Sequence, residues 1–303
     1  MKLLLLGANG QVGRECQRSL ASCGEVWLAT RSGRLSDGMP CEQADFDAPG
    51  GLAALIRRLH PDVVVNAAAY TSVDCAEQEP EAAFRANAQA PGIIAQACAA
   101  TGAYLVHYST DYVFDGCGAH PYRPDDPAAP LGVYGASKLA GEVAIRASGC
   151  RHAILRTAWV YASHGGNFLL TMLRLAAESD VLRVVADQVG TPTPAALIAD
   201  VTAHIAMTSV RPSGTWHLTP HGRTSWHGFA QAIVDGAHRR GLLANEPEVE
   251  AITSAEFPTP ARRPAWSVLD VTSLEAVWNL QLPDWQVGLE HVLDELAAAA
   301  AVG

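Results

Sequence analysis

Tyr134-Gly-Ala-Ser-Lys138 sets a tyrosine and a lysine four positions apart. On a helix this spacing stacks both side chains on one face, one turn from each other. A free tyrosine keeps its proton up to a pH of about 10, so alone it is a poor acid–base group at neutrality. An ammonium one turn away favours the phenolate and makes the phenol a usable proton donor. Tyr-x-x-x-Lys also occurs by chance on solvated helices, so its weight depends on what the fold brings beside it.

The chain opens with the apolar run Lys2 to Leu6, read as a buried strand, followed by Gly7-Ala8-Asn9-Gly10-Gln11-Val12-Gly13 and a helical pattern at Val12, Cys16 and Leu20. Glycines between a strand and a helix let the backbone approach a pyrophosphate, whose charge the helix N-terminus then holds. A tight turn without a ligand is the plainer alternative. A second strand, Val26 to Ala29, runs into Thr30-Arg31-Ser32. An acid at this place would bond a ribose 2′-hydroxyl, whereas an arginine suits a 2′-phosphate. NADPH is therefore favoured and NADH left open, with Arg31 serving equally as a solvated loop residue. Asp45-Phe46 follows a third short strand and either holds an adenine edge or caps the next helix.

Asp62 to Val65 is the fourth strand, and the small residues Ala67, Ala68 and Ala69 before Tyr70 leave room for a flat cofactor at its end. A long helix over about 80–101 leads to a fifth strand, Tyr104 to Tyr108. That strand delivers Ser109, Thr110 and Asp111 to the C-terminal edge of the sheet, where open α/β folds place ligands. After a proline-rich loop, a helix from Tyr134 to Ala147 carries the opening pair, and a sixth strand spans His152 to Arg156. Beyond it the alternation loosens. The expected fold is α/β: a doubly wound parallel sheet of Rossmann type with a smaller C-terminal substrate-binding lobe. The sheet domain should comprise residues 1–158 with about 182–218, and the lobe about 159–181 with 219–303.

Composition narrows the function. With 303 residues, 49% of them hydrophobic, the chain can bury a large core. The apolar opening breaks at Gly7, too early for a signal sequence, and no run is long enough for a bilayer. Seven scattered cysteines without a C-x-x-C pair argue against disulfides or zinc and for a reducing cytoplasm. A net charge of −10 without a basic stripe excludes nucleic acid as the expected partner. None of the eleven histidines is paired at H-x-x-x-H spacing with an acid between, so no metal site is expected.

The glycine loop, Asn66-Ala67-Ala68-Ala69-Tyr70-Thr71-x-Val73-Asp74, Ser109-Thr110-Asp111-Tyr112-Val113-Phe114 and Tyr134-Gly135-x-x-Lys138 together resemble the extended short-chain dehydrogenase/reductase family over nearly the whole chain. Arg156-Thr157-x-Trp159-Val160-Tyr161, Asp187-Gln188-x-Gly190-x-Pro192-Thr193 and Leu282-Pro283-Asp284-Trp285 narrow the likeness to reductases of 4-keto sugar nucleotides. That resemblance implies a dTDP-4-keto-6-deoxy-sugar as substrate, with NADPH giving hydride to C4. Tyr134 is then the proton donor, Lys138 lowers its pKa and bonds the nicotinamide ribose, Thr110 bonds the carbonyl oxygen, and Asp111 supports them. Thr71, Val73 and Trp159 match positions lining the sugar-nucleotide pocket, Trp159 being equally readable as a core residue. Arg262 and Arg263 are candidates for the diphosphate, or else a solvated pair. Some relatives hold magnesium through acids at a dimer contact. Glu15 is present, but Ala196 stands where another acid is expected, which leaves that magnesium and that homodimer without support. The alternatives are another sugar-nucleotide 4-reductase or epimerase, and a non-catalytic NADP-binding regulatory subunit.

Overall fold

The computed structural model describes residues 1–301. Seven strands form one parallel sheet: β1 (Lys2–Leu6), β2 (Glu25–Thr30), β3 (Glu42–Gln43), β4 (Val63–Asn66), β5 (Tyr104–Thr110), β6 (His152–Thr157) and, after four short strands described below, an edge strand at Gly214–His217. Their spatial order is Gly214–His217, β6, β5, β4, β1, β2, β3. The order reverses between β1 and β4, so the crevice for a ligand opens beyond the C-terminal ends of those two strands. Leu3 to Leu6 are completely buried, as a central strand covered on both faces requires.

Helices α1 (Gln11–Leu20), α2 (Gly50–Leu59), α3 (Val73–Ala76), α4 (Pro80–Phe84), α5 (Ala90–Thr101) and α6 (Val133–Ala147) fill the crossovers. The single helix expected over 80–101 contains a π-helical turn at Arg85–Gln89. This turn has a function in the packing. Asn87, fully buried on it, donates to Ser137 Oγ (3.0 Å) and to the Tyr70 carbonyl (3.0 Å), and accepts from the Tyr70 N–H (2.9 Å). One side chain thereby ties the loop after β4 to α6, which carries the tyrosine–lysine pair.

The remaining elements are β7 (Val160–Tyr161), α7 (Phe168–Glu178), β8 (Val181–Val185), β9 (Val189–Gly190), β10 (Thr193–Pro194), α8 (Ala195–Met207), β11 (the edge strand Gly214–His217), β12 (Thr224–Ser225), α9 (Trp226–Arg239), β13 (Glu248–Ile252), α10 (Thr272–Trp278) and α11 (Trp285–Ala300). Leu169 and Met172 of α7, Phe229 and Ile233 of α9, and Leu289 and Leu293 of α11 build a hydrophobic core separate from those of the large sheet. Two segments sit differently from the sequence expectation. Strand β8 pairs with β13 and packs into this second core, outside the seven-stranded sheet. Conversely, Leu274 and Trp278 of α10 pack under the sheet, beside α8. Apolar pattern alone marks both segments as buried but does not say against which core. No helix among the described residues is long and apolar enough to cross a membrane.

Buried histidines give the fold a pH dependence. His107 and His217 are almost entirely buried. Burial holds His217 down to about 3 and His107 well below its ordinary value, and His152 is lowered too. An unfolded histidine takes a proton near pH 6.5 that the folded ones refuse, so their contribution is present above that pH and lost below it. Asp111 opposes this, because burial raises it to about 6 and the folded state binds its proton first. Three histidines against one carboxyl give an expected loss of stability as pH falls from about 6 to about 4.5. Urea titrations across that window check it, and a flat profile would refute the neutral-histidine assignment.

Candidate active site

One cavity of about 830 Å³ runs along the C-terminal edge of the sheet. At one end lies the glycine loop. Gly7 has φ +82°, and a Cβ there would press on the backbone of Ala68, so the loop and the alanine run meet without side chains between them. A Cβ on Gly13 would strike the Gly7 carbonyl oxygen, which is why α1 can start so close to β1. The N-cap of α1, Gly10, makes no side-chain hydrogen bond, and the first turn has no acid, so the helix end presents free N–H groups. Gly7, Asn9, Gly10, Gln11, Val12, Ala67, Ala68, Ala69 and Tyr70 all line the cavity. Gly13 does not; its part is to permit the close packing behind the wall.

Polar side chains brace this end. Asn9 donates to the Arg34 carbonyl (3.0 Å) and accepts from the Ser36 N–H (3.0 Å), pinning the loop after β2. Gln11 donates to the Gly166 carbonyl (3.2 Å) and accepts from Asn167 (2.9 Å), the N-cap of α7, joining the glycine loop to the second core. Arg31 lines the cavity and is mostly exposed, with Asp47 at 3.5 Å and Asp45 at 4.0 Å. Phe46 is buried in the wall, whereas Asp45 lies outside the cavity. Asp45 also does not cap α2, whose N-cap is Pro49; it accepts from the Asp47 N–H at 3.0 Å.

At the other end, β5 and α6 converge. Thr110 donates to Asp111 Oδ1 (3.0 Å) and accepts from the Tyr112 N–H (3.2 Å). Thr110, Asp111, Tyr134 and Lys138 line the same wall. Tyr134 packs edge-on against Tyr112, with centroids 5.6 Å apart. Burial pushes its phenol up to about 12, against the lowering effect of the Thr110 hydroxyl, and the Asp111 carboxylate adds to the rise. This corrects the expectation that Lys138 pulls the phenol down. The ammonium donates instead to the Tyr108 carbonyl (2.6 Å), and is itself held down to about 8 by burial, with Glu142 opposing. Consequently the phenol keeps its proton at neutral pH, the form in which a donor must wait. Asp111 is almost completely enclosed and raised to about 6 by burial, against the lowering effect of the Ser267 and Thr110 hydroxyls.

Thr71, Val73, Trp159 and Arg263 also face the cavity; Arg262 does not. Arg263 donates to Asp74 Oδ2 at 2.9 Å, so the two arginines are not a matched pair. Trp159 adopts φ +48°, a strained conformation for a bulky residue, and stacks on Trp226 with centroids 3.6 Å apart and planes 8° apart. Trp226, Tyr112 and Thr157 line the cavity as well and were not expected from the sequence. Trp226 carries no local signal except its place after Ser225, the N-cap of α9. Among the described residues no cluster of three or more histidines, cysteines or acids could hold a metal ion. Glu15 instead bonds His164 (2.9 Å) and Arg18 (3.3 Å).

A glycine-lined nucleotide crevice opposite a Thr–Tyr–Lys wall defines an NAD(P)-dependent oxidoreductase of the extended short-chain dehydrogenase/reductase class. The family described as RmlD substrate binding domain matches residues 1–298. The chain belongs to that family, which is the family of the dTDP-4-dehydrorhamnose reductases. It is 44% identical over 305 residues to the dTDP-4-dehydrorhamnose reductase of Salmonella typhimurium, covering 100% of both chains. It is 47% identical over 302 residues to that of Burkholderia thailandensis, covering 95% of this chain and 97% of the other. The crystal structure of the Bacillus anthracis dTDP-4-dehydrorhamnose reductase in complex with NADP superposes with a TM-score of 0.88 at 32% identity, covering 97% of this chain and 99% of that one.

Proposed function

We propose that this protein reduces the C4 keto group of dTDP-4-dehydro-L-rhamnose to give dTDP-L-rhamnose, using NADPH, with Tyr134 as the proton donor. The observation that carries this reading is the convergence of Thr110, Tyr134 and Lys138 on one wall of the cavity whose far end is the glycine loop. The residues present fit the cofactor. Gly7, Gly10, Gln11 and Val12 would take the pyrophosphate at the uncapped start of α1, and Ala67 to Ala69 leave a flat surface beyond β4. When bound, NADPH supplies the hydride. Arg31 and Phe46 would hold its adenosine end, with Tyr134 and Lys138 at the nicotinamide end.

The chain's own groups then do three things. The Thr110 hydroxyl and the phenol bond the carbonyl oxygen and stabilise charge as it develops there. Tyr134 releases its proton to that oxygen, which becomes a far stronger base than a phenolate. Lys138, mostly charged near neutral pH, offsets the phenolate left behind. Around them, Thr71, Val73, Trp159, Trp226 and Arg263 would enclose the sugar nucleotide, and we assign the core built by α7, α9 and α11 to the substrate lobe. Relatives that share the family carry this activity in their names, and one structural neighbour holds NADP.

An NADPH-oxidation assay tests the assignment. Absorbance should fall when dTDP-4-dehydro-L-rhamnose is added. A protein that binds NADPH yet never oxidises it with this substrate would be a binding subunit instead. The Arg31 position makes a second prediction. Its guanidinium lies between two carboxylates, so a 2′-phosphate would displace ion pairs that are already exposed and weak. Arg31→Ala should weaken NADPH more than NADH in parallel titrations. Equal losses would mean that Arg31 does not read the phosphate.

A further inference from the structure

Tyr134, Lys138, Glu142 and Arg146 stand at successive four-residue steps along one face of α6, leading from the cavity wall to the surface. Glu142 is completely buried, and its carboxylate is fully engaged. Arg156 of β6 donates to it twice, at 2.9 and 2.8 Å, and Arg146 once, at 3.1 Å. The fourth donor is the Ser109 hydroxyl, at 2.6 Å. Ser109 directly precedes Thr110, while Lys138 donates to the carbonyl of Tyr108, the residue before Ser109. Helix α6 therefore grips consecutive residues of β5 through Lys138 and Glu142, and Thr110 and Tyr134 are the next residues outward on each element.

We propose that Glu142 is a positioning residue for the reaction: it holds the end of β5 against α6 through Ser109, and it keeps a negative charge one helical turn below the Lys138 ammonium. This inference rests on the assigned reduction and adds to it. An ion pair with Arg156 alone would be served anywhere in the core; the bond to Ser109 and the place beneath Lys138 are what tie it to the site. The charged and titratable groups around Lys138 are Glu142 and Tyr134 on α6 and His107 on β5, while Arg156, Arg146 and His217 surround Glu142. His107 stays neutral, so Glu142 is the one of these groups whose charge favours the ammonium against burial.

Lys138 loses its proton as pH rises, and without Glu142 it would lose it at lower pH. Glu142→Gln should therefore lower kcat about tenfold at pH 8 and move the alkaline limb of the kcat profile about one unit toward acid, with NADPH affinity within about twofold of the parent. Ser109→Ala, which keeps every charge, should lower kcat several-fold without moving that limb. A Glu142→Gln profile whose limb stays in place, with only the melting temperature reduced, would overturn the inference. Should Glu142→Gln fail to fold, Ser109→Ala decides: a reduced kcat at unchanged NADPH affinity supports the role, and a parental kcat overturns it. Failure of the unmodified protein to reduce dTDP-4-dehydro-L-rhamnose would show a different fault, since it removes the reaction itself and the inference with it.

Discussion

Tyr134→Phe is expected to fold, to bind NADPH nearly as the parent does, and to turn over more slowly by a factor on the order of 10² or more. The substitution removes one oxygen from a half-buried ring whose packing against Tyr112 is otherwise preserved. What disappears is the proposed proton donor, one of two hydroxyls assigned to the carbonyl, the other being that of Thr110. The pKa near 12 makes this sharper, because the phenol is protonated at every pH where the enzyme would work. Its titration should therefore add no alkaline limb within the working range, which leaves that limb to Lys138. Single-turnover NADPH oxidation together with a fluorescence titration of the cofactor measures both halves. Near-parental turnover in the variant would remove Tyr134 from the chemistry.

Replacing Lys138 with methionine should separate stability from activity. The side chain is 3% exposed, and burial holds its ammonium down to about 8, a sign that the protein bears a cost for the charge. Methionine has a similar length, carries no charge, and relieves that cost, so thermal stability should be unchanged or higher even though the Tyr108 carbonyl loses its donor. Turnover should fall on the order of 10²-fold, because nothing then offsets the phenolate that remains after proton transfer. Thermal melting and NADPH oxidation on the same preparation give the answer. A variant that melts far lower and loses activity in proportion would make Lys138 a structural residue.

Much of this arrangement is legible without coordinates, and the reason is local. The glycine loop must follow a buried strand and open a helix, so Gly7 to Gly13 announce both the crossover and the helix end that faces the crevice. Tyr134 and Lys138 share a helix face whatever surrounds them, because helical geometry fixes that. The apolar runs stop at Val65 and Tyr108, one and two residues short of the strand ends at Asn66 and Thr110. Each of these readings depends on neighbours within about one turn or one strand.

Readings that needed distant partners fared differently. The partner of an ammonium is set by whichever acceptor the fold brings to it, and for Lys138 that is the Tyr108 carbonyl, thirty residues away, while burial governs Tyr134. Arg262 and Arg263 look alike in sequence, yet Asp74 fixes one of them beside the cavity and the other faces away. Trp226 meets Trp159 only because α9 belongs to the second core and reaches over the sheet edge. The sequence by itself therefore determined the Rossmann scaffold, the place of the glycine loop and the shared helix face of Tyr134 and Lys138, since strand and helix periodicity place them. The tertiary structure alone decided which core β8 and α10 join, what Glu142 holds, and how burial sets the protonation of the site, because desolvation and long-range contacts have no signature in local spacing.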